Sequence, residues 1–186
     1  MSLPLPLPLN AIDLKNHPPP SYLLTQDLLL LTAGTLWTLA YILYIQQSLH
    51  DASYGMPLLS LFLNLSWEIT YTVIYPPNVP ELLAFAPWVL SDVVLASLTV
   101  VFGGREWEGW SELVSENMGV VVVLGVAVGV LGQWGFARGW GREGRGRACF
   151  WAGYVCQVVL SWESVGMVVG RGSVRGGSMG IWYGVV

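Results

Sequence analysis

Five apolar stretches of about 20 residues, each interrupted by no more than one acidic side chain, dominate this chain, and that is the length a helix needs to cross about 30 Å of hydrocarbon. They fall at about 28–46, 58–75, 82–102, 117–136 and 148–170. A sixth apolar piece, 179–186, is less than half that length and reads as the start of a further helix cut short. The expected fold is therefore all-α: one polytopic transmembrane bundle of five full spans and a truncated sixth, preceded by a Pro-rich tail over 1–27. Leu-Pro alternation gives that tail the look of an extended, polyproline-like segment, and it has neither the unbroken apolar core nor the small-residue cleavage site of a secretory signal.

Composition agrees. Soluble domains carry about 25% charged residues, whereas this chain has 11%, against 54% hydrophobic, too little polar surface to coat a water-exposed body. The lipid bilayer is the expected solvent and partner. The few basic residues form no block able to follow a phosphate backbone, so nucleic acid is not an expected partner. Lys15, Arg138, Arg142, Arg145 and Arg147 would share one membrane face and Arg105, Arg171 and Arg175 the other, an imbalance that favours a cytoplasmic N-terminus.

The span boundaries carry their own punctuation. Pro76 and Pro77 end the second run, Pro87 bends the third, and GGREWEGW returns the chain to an interface that suits Trp107 and Trp110. GVAVG at 125–129 has the small-xxx-small spacing that lets two membrane helices approach closely. The Gly- and Arg-rich segment ARGWGREGRGR reads as a turn before the fifth span. Cys149 and Cys156 lie on one predicted helix too far apart for a disulfide, so two buried thiols are expected.

Three acids sit at predicted bilayer depth: Glu68, Asp92 and Glu163. Inserting such a group costs about 2.5 kcal/mol or more, so these side chains are expected to face the bundle interior and find partners there. A carboxylic acid in a dry pocket can keep its proton and deliver it to a substrate, and Glu68 is best placed to do so. Asn64, Glu68, Tyr71, Thr72 and Tyr75 follow helical spacing and would form one polar stripe. Hydrogen-bonded glue between helices explains that stripe as well as catalysis does. Asp92 could orient Glu68, bind substrate or pair with an arginine, while Gln157, Ser161 and Ser164 favour a packing or pairing role for Glu163. His17 and His50 have no ligand-like spacing, and no Asp-rich cluster, phosphate-cradling glycine loop or nucleophile elbow is present, so neither a metal nor a cofactor is expected.

The tract DASYGMPLLSLFLNLSWEITYTVIYPP, with YGMPL followed by N-x-x-WE-I-x-Y, resembles the second-helix region of the fungal integral membrane terpene cyclases of meroterpenoid and indole-diterpene biosynthesis. WVLSDVV, FGGREW, SELVSENMG, GQWG and RGSVRGGSMGIW continue the resemblance in order over about residues 20–183. It implies a bundle of about seven helices in the endoplasmic reticulum membrane. It also implies a metal-independent cyclase that protonates the terminal epoxide of a farnesyl or geranylgeranyl chain carried on an aromatic or indole group, then guides the cation through ring closure. Glu68 matches the acid of the family's WE pair, and Asn64, Trp67, Tyr71 and Asp92 are the expected substrate-binding residues. The family's last helix bears an important Asp for which this sequence has no counterpart, so a non-catalytic, truncated member is the alternative. A small proton or solute transporter using the three acids is a further one.

Overall fold

A computed structural model describes residues 7, 9, 11–76 and 79–185. Among the described residues the chain is helical throughout: α1 (Ala11–Asn16), α2 (Pro20–Asp51), α3 (Leu58–Glu68) running into a π-helical segment (Ile69–Ile74), α4 (Val79–Glu106), α5 (Glu112–Glu116), α6 (Met118–Gly139), α7 (Gly141–Arg171) and α8 (Met179–Val185). Four of these contain stretches long and apolar enough to cross a membrane: Pro20–Asp51, Phe85–Glu106, Met118–Gly139 and Gly144–Arg171. Leu58–Ile74 is a shorter apolar fifth. Their outward faces are lined with exposed Leu and Val, among them Leu29, Val101, Val123 and Val128, the arrangement expected where acyl chains replace water.

Three boundaries differ from expectation for local reasons. The expected Pro-rich tail is not extended over its second half, because α1 occupies 11–16 and α2 begins at Pro20. Proline at the first helical position loses no hydrogen bond, since that N–H has no intrahelical partner, and its fixed φ suits the helix; the earlier Leu-Pro positions 1–6, 8 and 10 lie outside the described residues, as do Pro77 and Val186. The Gly- and Arg-rich segment is helical on both sides of a single break, where Gly141 takes φ +68, a left-handed conformation that ends a helix cheaply only at glycine. Finally, the second span is not α-helical to its end: Tyr75 N–H bonds the Thr70 carbonyl at 2.8 Å, five residues back.

The core gathers where α2, α3, α4, α7 and α8 meet, around Tyr41, Tyr44, Met56, Leu61, Leu95 and Ile181. Helix α3 is the central element, packed against α4, α6 and α7. The expected close approach of GVAVG is made by α6 on α3, with Gly125 over the Phe62 ring and Gly129 against Ser66. At the end of the bundle where α2, α4 and α7 finish, three tracts of the sequence converge. Asp51 Oδ2 accepts from Gly176 N–H at 2.8 Å, Arg171 lies 4.1 Å from the Tyr54 ring centroid, and Glu106 sits 3.7 Å from both Arg171 and Arg175. Trp107 donates its indole N–H to Tyr54 Oη at 3.0 Å, tying the FGGREW turn to the YGMP loop.

Candidate active site

Glu68 occupies the last turn of α3 and is 1% exposed; Asp92, midway along α4, is 0% exposed. A hydrogen-bonded chain joins them across three helices. Asn64, one turn before Glu68, donates from Nδ2 to Asp92 Oδ2 at 2.8 Å and to Tyr41 Oη at 2.6 Å. Tyr41, from α2, donates in turn to Glu68 Oε1 at 2.7 Å. The other carboxyl oxygens, Glu68 Oε2 and Asp92 Oδ1, are buried and receive no hydrogen bond from an amide or hydroxyl, while the two carboxyl groups themselves lie within hydrogen-bond reach of one another. The ion pairs found among the described residues join His50 to Asp51 and Arg171 and Arg175 to Glu106, so neither inner acid is paired with a cation there.

Aromatic rings line the bundle next to this network. Phe85, Trp88 and Asp92 recur at helical spacing on α4. Phe85 stacks on Trp88 at 5.5 Å and meets Trp67 edge-on at 5.4 Å, and Trp67 lies 5.6 Å from Tyr71. Two of the rings are pinned by their polar ends: Trp67 donates to the Cys149 carbonyl at 2.9 Å and Trp88 to Thr38 Oγ1 at 3.0 Å. Trp37 meets the Tyr41 ring edge-on at 5.9 Å.

Of the residues expected from sequence, Glu68, Asn64 and Asp92 come together directly, whereas Trp67 turns toward α7 and meets Phe85 of α4 edge-on. Tyr71 does not share their stripe. It packs with Ala137, Ala148 and Ala152 on α6 and α7, because the π-helical segment changes the angular spacing immediately after Glu68. Tyr75 goes the same way and carries the Arg145 guanidinium 4.3 Å above its ring. Sequence reasoning missed Tyr41 and Phe85. The stripe Trp37, Tyr41, Tyr44 and Ser48 on α2 was the available signal for Tyr41, since these aromatic and hydroxyl side chains recur at helical spacing along one face.

Glu163 belongs elsewhere. Its Oε2 accepts from Ser60 N–H at 2.8 Å and Ser60 Oγ at 2.6 Å, capping the start of α3, whose own N-cap residue, Pro57, offers no side-chain bond. An apolar groove of about 840 Å³ opens on the opposite side of α3, lined by Phe62, Leu63, Val121, Gly129, Gln133 and Phe136 among others; no residue of the acid network lines it. No group of three or more metal-ligating side chains occurs among the described residues. Cys149 and Cys156 form no disulfide, and of the two thiols expected to be buried only Cys156 is, Cys149 being half-buried.

Residues 12–184 match the family of Pyr4-like transmembrane terpene cyclases. The chain is 37% identical over 179 residues to a Pyr4-family terpene cyclase, mfmH, of Annulohypoxylon moriforme, covering 96% of this chain and 73% of that relative. It is 33% identical to the terpene cyclase esdpB of Penicillium shearii, covering 82% of this chain and 61% of the relative. It is 30% identical to the terpene cyclase pyr4 of Aspergillus fumigatus, covering 84% and 64% respectively. The chain thus spans about three quarters of the first relative and less than two thirds of the other two. No solved structure matches it.

Proposed function

The chain belongs to the Pyr4-like transmembrane terpene cyclases, and from that premise we propose that it cyclises an epoxidised farnesyl or geranylgeranyl chain borne on an aromatic or indole group, with Glu68 as the proton donor. The observation that carries this reading is the asymmetry of the Glu68 carboxyl: one oxygen is held by Tyr41, the other is buried and receives no hydrogen bond from an amide or hydroxyl.

In the proposed reaction the Glu68 O–H bond breaks and its hydrogen goes to the epoxide oxygen. The C–O bond to the more substituted carbon breaks, its electron pair staying on oxygen. The π electrons of the next alkene then close a C–C bond onto that carbon, passing the positive charge along the chain. Loss of a proton from a neighbouring C–H to the Glu68 carboxylate left by the first step, directly or through water, restores an alkene and the acid, so product and substrate are isomers. The acid is a side chain, and the step calls for neither metal nor cofactor. The faces of Trp67, Phe85 and Trp88 stabilise the moving charge as a cation over a ring does, and their apolar bulk keeps out the water that would quench it. Asp92 contributes by holding Asn64 and by its own contact with the Glu68 carboxyl. The substrate is apolar along most of its length and reaches the site from the bilayer; an endoplasmic reticulum membrane is the compartment we propose.

The test is conversion of an epoxidised prenyl-aromatic substrate to a product of unchanged mass by microsomes carrying the chain. Glu68→Gln, which keeps shape and loses the acid, should abolish product at an unchanged level of membrane-inserted protein. Retained turnover would overturn the assignment.

A further inference from the structure

We propose that Tyr41 is a positioning residue for the acid, fixing which oxygen of Glu68 carries the proton; the inference rests on the cyclase reading above. The argument is one of hydrogen-bond direction. Asn64 spends its amide hydrogens on Asp92 Oδ2 and Tyr41 Oη, so the Tyr41 oxygen is an acceptor on that side. Its single hydrogen is directed at Glu68 Oε1. An oxygen that accepts there is the carbonyl oxygen of a protonated carboxyl, which leaves the hydroxyl on Oε2, the oxygen that no amide or hydroxyl of the protein reaches.

Without Tyr41 the carboxyl could rotate by half a turn and present its carbonyl oxygen, which has no proton to give, at the same place. With it, the rotated form sets two O–H groups against each other. The same bond becomes charge-assisted as negative charge grows on Glu68 during proton transfer, so it strengthens along the reaction. Asp92 orients Asn64 and also lies within hydrogen-bond reach of the Tyr41 hydroxyl and the Glu68 carboxyl.

Tyr41→Phe removes the hydroxyl and keeps the ring against Trp37. It should lower kcat by about 10²-fold, the cost of a misplaced reacting group, with KM little changed. Tyr44→Phe, a buried neighbour on the same helix outside the network, should leave both unchanged. A second readout needs no turnover: the infrared carbonyl band of the protonated Glu68 carboxyl, assigned by its loss in Glu68→Gln, should move in Tyr41→Phe and stay in Tyr44→Phe. Asn64→Leu provides a second way to release the Tyr41 hydroxyl and should also move the band, and the double variant should be no worse than Tyr41→Phe alone. A band present but unmoved in Tyr41→Phe overturns the positioning role and leaves the cyclase reading standing. No such band in the native chain overturns both. A band that moves in a chain inactive on every prenyl epoxide supports the positioning role and overturns the cyclase reading.

Discussion

Replacing Gly129 by alanine should destabilise the bundle more than the same change at Gly125, although both glycines belong to one motif and face one helix. A Cβ at Gly129 would stand 2.6 Å from Ser66 Oγ, 2.8 Å from Ser66 Cβ and 3.0 Å from the Phe62 carbonyl oxygen. Two of these atoms are backbone or bonded directly to it, so α6 and α3 would have to separate by about 1 Å to restore ordinary carbon contacts of about 3.5–4.0 Å. A Cβ at Gly125 would overlap the Phe62 ring, but that ring lines the open groove and can swing into it. Overpacking of a fixed contact costs about 3 kcal/mol at the upper end of its usual range. Alanine returns about 1 kcal/mol of helix propensity at either site. The expected net losses are about 2 kcal/mol at Gly129 and close to zero at Gly125. Equilibrium unfolding in mixed micelles by added SDS, followed by tryptophan fluorescence, measures both. A Gly129→Ala variant within about 0.5 kcal/mol of the native protein, the usual scatter of surface changes, or a Gly125→Ala variant that is the worse of the two, would refute the crossing geometry.

Two further outcomes follow from other contacts. Glu163→Ala strips the start of α3 of an acceptor used by both Ser60 N–H and Ser60 Oγ; a loss of about 2–4 kcal/mol is expected from bonds to a charged group, read in the same titration. Turnover per folded molecule should be unchanged, because Ser60 lies two turns from Glu68. Gly176 has φ +76, and a Cβ there would overlap the Tyr54 carbonyl, so Gly176→Ala should cost about 2 kcal/mol in backbone strain and raise hydrogen exchange at 53–56 and 172–178.

What could be read from sequence and what could not divide along a physical line. Apolar runs report helices through length and composition alone, so the membrane bundle and its central stretches were legible. The inward acid was legible too, because a carboxyl inside an apolar run must face away from lipid. Contacts between helices were not. Tyr41 meets Glu68 across 27 residues and Ser60 meets Glu163 across 103, and the period of a single helix says nothing about the rotation of its neighbour. The π-helical segment was not legible either: ITYTVI is rich in β-branched residues, which weakens its preference for α-helix, but nothing in it specifies a π turn. YGMP, FGGREW and RGSVRGG were visible as tracts, while their meeting at one end of the bundle, through Asp51, Tyr54, Glu106 and Gly176, belongs to the fold.

The π-helical segment resolves a conflict that the unbroken helix would impose. Glu68 must face α2 and α4 to reach Tyr41 and the Asp92 carboxyl, while the bulky Tyr71 needs the space that Ala148 and Ala152 leave on α7. Upstream of Glu68 the helix is tied down: Glu163 holds its first turn, Gly129 fits against Ser66, and the Trp67 indole is anchored to the Cys149 carbonyl. The acid therefore sits on the last turn of a fixed α-helix. A single i to i+5 turn directly after it re-aims Tyr71 and Tyr75 toward α6 and α7 without moving Glu68. Such π turns are less favourable than α-helix and are frequent at functional sites; here the deviation begins one residue after the acid, where it alters the direction of the aromatic side chains and leaves the hydrogen-bond chain intact.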